Sequence, residues 1–113
     1  MPAFEFQGQL FHNPVELALQ VIGGKWKMPI LWRLAQRTWR YNELHRDLQQ
    51  ISHKMLTQQL RELEAAGLLT RTVHPVVPPH VDYDLTALGR TCLPAIEALR
   101  AWGSSYRESH RES

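Results

Sequence analysis

Residues 52–67 read SHKMLTQQLRELEAAG, and the spacing within them predicts an amphipathic helix. Leu56, Leu60 and Leu63 recur every three or four residues, so with 3.6 residues per turn they fall within about 40° of one direction. Ser52 is a good N-cap, because its hydroxyl accepts a hydrogen bond from an unpaired first-turn N–H. Gly67 ends the helix, since glycine adopts the left-handed conformation past a C-terminus at little cost. The same rotation throws Lys54, Gln58 and Arg61 to the side opposite the leucines, with Thr57 at the flank.

Upstream, Trp39-Arg40-Tyr41 reads as a short extended segment. Asn42 then predicts the cap of a brief helix, ELHRDLQQ, with Leu44 and Leu48 inward. Downstream the period shifts towards 2. LLTRTVHP and HVDYDL alternate like strands around a stiff tip at residues 75–79, with Val73, Val81, Tyr83 and Leu85 expected on the buried side.

Farther out, Asn13-Pro14 predicts an N-cap and a proline at the first helical position. That helix carries Val15, Leu17, Ala18, Val21 and Ile22 on one face and ends at Gly23-Gly24. A second helix is expected over residues 25–35, with Pro29 tolerated in its first turn. Thr86 caps a last helix to about Tyr106, which Pro94 should kink or break. Residues 1–12 are expected as a loose arm, 13–107 as the domain and 108–113 as a tail. The expected class is mainly α with a small β-wing. Two consecutive capped helices followed by a hairpin are what a winged helix-turn-helix requires.

The bulk properties narrow the function classes. The chain has 113 residues, 43% of them hydrophobic, which suits one domain with a real core. No apolar run approaches the ~18–20 residues of a membrane span, and the N-terminus lacks the pattern of a secretory signal. A single cysteine, Cys92, excludes an internal disulfide. A cytoplasmic protein is the expectation. The six histidines show no i, i+4 pair and no Cys/His ligand spacing, so neither a metal site nor a cofactor is expected. No nucleophile–base pattern occurs, so catalysis is not expected. Net charge is only +2, yet residues 25–61 hold eight basic residues against two acids. That segment carries +6 and the remainder −4, a polarity suited to a phosphate-facing surface.

The exposed face of the 52–66 helix has the chemistry of a major-groove reader. Arginine pairs with guanine, glutamine with adenine, lysine with guanine or phosphate, and threonine with a thymine methyl. Its N-terminus, at Ser52 and His53, carries partial positive charge that favours phosphate. Arg40, Arg71 and His80 are the further candidates for backbone contact. A histidine is neutral much of the time near pH 7, so His80 is a partial and pH-dependent one. Arg33 and Arg37 are either phosphate contacts or ordinary surface charge. The alternative to a double-stranded DNA partner is a protein-interaction module, motivated by the modest net charge and the histidine-bearing wing.

Five ordered elements resemble the HxlR-type winged helix regulators, relatives of the MarR group. They are Ile22-Gly23-Gly24-Lys25-Trp26, Tyr41-Asn42-Glu43-Leu44, Ile51-Ser52-His53-Lys54-Met55-Leu56-Thr57, Leu60-Arg61-Glu62-Leu63-Glu64 with Gly67-Leu68, and the wing run from Val77 to Gly89. The resemblance spans about Asn13 to Trp102. It implies a homodimer built from the first and last helices, with Leu10, Phe11, Val15, Leu19, Ile96, Leu99, Trp102 and Tyr106 at the interface. It also implies a recognition helix at 52–66, regulation of nearby genes (repression foremost), and response to a small-molecule effector. Two residues depart from the pattern. Asn13 stands where many members carry a cysteine, which excludes thiol sensing there, and His80 stands where the wing usually has arginine. Cys92 is read as a buried small hydrophobe.

Overall fold

The computed structural model describes residues 2–111. Two short strands open the chain, β1 (Phe4–Phe6) and β2 (Gln9–Phe11), paired antiparallel where the sequence suggested a loose arm. The turn between them is Gln7-Gly8, both at positive φ, which matches the right-handed twist of a two-residue hairpin. Phe4 and Phe11 are cross-strand partners with stacked rings 5.7 Å apart.

Helix α1 (Pro14–Ile22) starts as its sequence dictates, with the Asn13 side chain accepting from the Glu16 N–H at 3.0 Å. Gly23 ends it in an extended conformation, and a Cβ there would sit 2.1 Å from the Leu19 carbonyl oxygen. Helix α2 (Lys27–Leu34) begins two residues later than expected. Strand β3 (Trp39–Arg40) follows, then α3 (Tyr41–Leu48). Arg40, not Asn42, is the cap residue of α3, because the Glu43 carboxylate reaches back to accept the Arg40 N–H at 2.9 Å. Helix α4 (His53–Ala65) is capped by the Ser52 hydroxyl, which accepts from the Met55 N–H at 3.0 Å.

The wing comprises β4 (Leu69–His74) and β5 (His80–Leu85), and β3 adds to the far edge of β5, giving the antiparallel order β3-β5-β4. Leu69, Arg71 and Val73 share a face with their partners Leu85, Tyr83 and Val81. Val73 nevertheless stays exposed, because the hairpin has outrun the core by that point. The last helix is two: α5 (Ala87–Arg90) and α6 (Leu93–Ser109). The break falls at Thr91-Cys92, which leaves Pro94 in the first turn of α6, where no intrahelical N–H is lost. Helix α6 also takes in residues 108–109, expected in the tail; 112–113 lie outside the described residues.

The core gathers Ile30, Leu31 and Leu34 of α2, Leu44 and Leu48 of α3, the three leucines of α4, and Leu69, Tyr83 and Ile96. It occupies only part of the molecule. The radius of gyration is 16.3 Å, against about 13 Å for a compact chain of this length. Every residue of α6 beyond Ile96 is exposed. No helix among the described residues is long and apolar enough to cross a membrane.

Candidate nucleic-acid interface

The α3–turn–α4 unit is held from below by Leu44, Leu48, Ile51, Leu56, Leu60 and Leu63, all buried. Their burial fixes the rotation of α4, so Lys54, Gln58 and Arg61 lie exposed on its outer side and Thr57 half-buried at its edge. Ser52 and His53 are exposed at the helix start. Two contacts that the periodicity did not reveal secure this pose. Lys27 of α2 is buried with its Nζ 3.5 Å from the Glu62 carboxylate. Tyr41 places its hydroxyl 2.9 Å from His53 Nδ1 and 3.4 Å from the Thr57 hydroxyl, and His45 stacks on His53 at 3.7 Å.

Several arginines in the basic segment are already engaged. Arg33 Nε donates to Asp47 at 2.7 Å, and Arg37 pairs with Glu43 at 3.1 Å while lying over the Trp39 ring. The Glu43 carboxyl is held below its ordinary range, first by the Arg40 N–H and then by Arg37. Arg33 and Arg37 therefore brace α2 and α3 against their neighbours. Arg40 stays exposed on β3.

Between α4 and the wing runs a groove lined by Tyr41, Thr57, Arg61, Glu64, Arg71 and Tyr83. Burial raises the Tyr83 phenol, opposed by the neighbouring Arg71 guanidinium. His80 sits half-buried at the tip end of β5, beside His74 and Asp82. The sequence offered no metal spacing, yet the folded hairpin brings these three side chains together.

Away from this surface, Leu10, Val15, Leu19, Leu99, Trp102 and Tyr106 each leave half or more of their area exposed. Phe11 and Ile96 are instead 2% exposed. They are covered within the chain, so their side chains offer no surface to a second copy. A cavity of about 400 Å³ opens between α2 and α6, lined by Met28, Pro29, Trp32, Ile96, Leu99 and Arg100, with the Arg100 guanidinium over the Trp32 ring at 4.5 Å. Cys92 is half-buried, its thiol donating to the Gly89 carbonyl at 2.9 Å, and burial pushes the thiol up.

Comparisons with known proteins agree with this geometry. The family model for HxlR-like helix-turn-helix proteins matches residues 21–111. An HTH-type transcriptional regulator of Methanothermobacter thermautotrophicus is 46% identical over 99 residues, covering 88% of this chain and 75% of that protein. The solved structure of the redox regulator HypR in its reduced form is similar at a TM-score of 0.81 and 45% identity, covering 86% of this chain and 96% of that one. A MarR-family transcriptional regulator from Porphyromonas gingivalis superposes with a TM-score of 0.77 at 40% identity, covering 80% of this chain and 89% of that one.

Proposed function

The chain belongs to the HxlR-like helix-turn-helix family and is a transcriptional regulator rather than an enzyme, and from that premise we propose that it works as a cytoplasmic homodimeric repressor. Two α4 helices would enter successive major grooves of a pseudo-palindromic operator, with half-site centres about 34–36 Å apart. The observation that carries this reading is the two-sidedness of α4. Three buried leucines clamp one side while Lys54, Gln58 and Arg61 stand clear on the other.

Side chains of that chemistry read base edges, whereas Arg40, Arg71 and the helix N-terminus at Ser52 and His53 are suited to phosphates. The wing is the weaker partner, since His80 replaces the arginine usual in the family. The α2–α6 cavity is the natural effector site, because it touches both the DNA-binding half and the exposed helix α6. An effector lodged there would change the spacing of the two recognition helices by altering how α6 leaves the core. A thiol-based redox response has little support in this chain. Position 13 is asparagine, and partial burial of Cys92, the sole cysteine, raises its thiol and so disfavours the reactive thiolate.

Selection of bound duplexes from a random pool tests the reading, followed by a salt titration of the winning sequence. Enrichment of an inverted repeat whose affinity falls steeply with salt is the expected result. Failure to enrich any motif, or binding indifferent to salt, would favour the protein-interaction alternative.

A further inference from the structure

The wing holds a side-chain cluster from which the DNA reading draws only on His80. His74 and His80 are cross-strand partners at the last register position of β4 and β5, and their rings stack at 4.6 Å. Asp82 lies two residues along β5 from His80, so strand alternation brings its carboxylate to the same face. One carboxylate oxygen is 2.9 Å from His74 Nε2, and the other is 3.8 Å from His80 Nε2. A donor atom from each of the three residues lies within 4.8 Å of the other two.

These separations suit a small tetrahedral ion. Bonds of about 2.0–2.1 Å to nitrogen and oxygen place neighbouring donors roughly 3.3 Å apart, and with one donor atom per residue all within 4.8 Å of one another the three side chains need only a small contraction to close on an ion. His80 Nδ1 also faces the Pro78 carbonyl at 3.4 Å. A proton shared with that carbonyl leaves Nε2 as the lone-pair ligand, the arrangement that orients metal-bound histidines. The three side chains are between 20% and 39% exposed, so an ion reaches them and keeps room for a fourth ligand from solvent. Arg40 is the cross-strand partner of Asp82 on β3, and Glu43 and Arg46 line the same cavity as His80.

We propose that His74, His80 and Asp82 form a binding site for one divalent transition-metal ion of the zinc class on the wing. Two neutral imidazoles and a carboxylate carry −1, and a bound dication makes the site +1. Loading the site would thus turn this edge of the wing from negative to positive. His45 and His53 also stack, at 3.7 Å, but among the described residues they belong to no cluster of three potential ligand side chains.

Zinc uptake by the full chain, measured by competition with a chromophoric chelator, tests the site without any DNA, so its outcome is independent of the regulator reading. One zinc per chain is expected. His74→Ala and the isosteric Asp82→Asn should each weaken it by at least the roughly tenfold that even an outer-shell change produces, while circular dichroism stays unchanged. His45→Ala should bind as the parent does. No uptake by the parent chain, or uptake that survives Asp82→Asn or is lost in His45→Ala, overturns the assignment.

Discussion

At the scale of single residues, the basic segment divides by partner. Arg33 and Arg37 are held by Asp47 and Glu43, and Lys27 is buried against Glu62. Among the described residues, Lys54 and Arg61 have no ion-pair partner within the chain and stand exposed. An arginine with no ion pair or hydrogen bond among the described residues contributes little to folding and is available to a ligand. Arg61→Ala should therefore leave thermal stability within about 0.5 kcal/mol of the parent. If Arg61 reads a base, it should weaken specific DNA binding by about 1–3 kcal/mol, roughly 5- to 150-fold. Fluorescence anisotropy on the selected operator measures this, and an unchanged affinity removes Arg61 from the reading set.

Among the elements, the recognition helix owes its position to the pieces that bracket it. The turn before it puts Gln49 and Gln50 at positive φ, a costly conformation for residues with a Cβ. Buried Leu48 and Ile51 on either side of the turn hold it in place. After the helix, α5 is clamped to the start of β4. The Thr86 hydroxyl donates to the Gly67 carbonyl at 2.6 Å and accepts from the Gly89 N–H at 2.9 Å. The Thr86 N–H meets the Leu68 carbonyl at 3.0 Å. Gly89 is packed so tightly that a Cβ would stand 2.1 Å from the Leu68 carbonyl oxygen and 2.7 Å from Leu85. Backbone cannot yield as a flexible side chain does. Gly89→Ala should cost about 1–3 kcal/mol, read as a lower urea midpoint at a fixed chain concentration. A midpoint equal to the parent's would show that α5 is not wedged against the strand.

For the whole molecule, the distribution of apolar surface matters more than its amount. The hairpin and α1 expose Leu10, Val15 and Leu19, while α6 exposes Leu99, Trp102 and Tyr106 along one side. Trp102 and Tyr106 stack on each other at 5.2 Å, so they present a continuous aromatic ridge. A 17-residue helix that leaves the core after Ile96 has little to hold it in a lone chain. Packing against a second copy would supply the missing contacts. Trp102→Asp should convert a two-chain species into a one-chain species at micromolar concentration, as read by light scattering after size exclusion. Because Trp102 is 65% exposed in the protomer, the winged part of the variant should stay folded. A parent chain that already runs as a monomer would refute the homodimer.

What could be read in the residues was local. Leucine periodicity, the Asn13, Ser52 and Thr86 caps and the change of period after Gly67 each depend on neighbours within a turn or a strand pair. They marked out the helix-turn-helix, the wing and the outward face of α4. The hairpin at residues 4–11 was missed because its turn is Gln-Gly and its strands are only three residues long, too short for alternation to register. Lys27 and Glu62 lie 35 residues apart, and no spacing rule links them. The histidine–aspartate cluster escaped for a similar reason. Ligand rules written for helices look three or four residues ahead, whereas His74 and His80 meet across a hairpin whose register is set by Tyr83 and Leu85 packing into the core. Periodicity reports which face of an element is apolar. Which distant side chains share a point in space is decided only when the elements close on one another, because that choice depends on packing all of them at once.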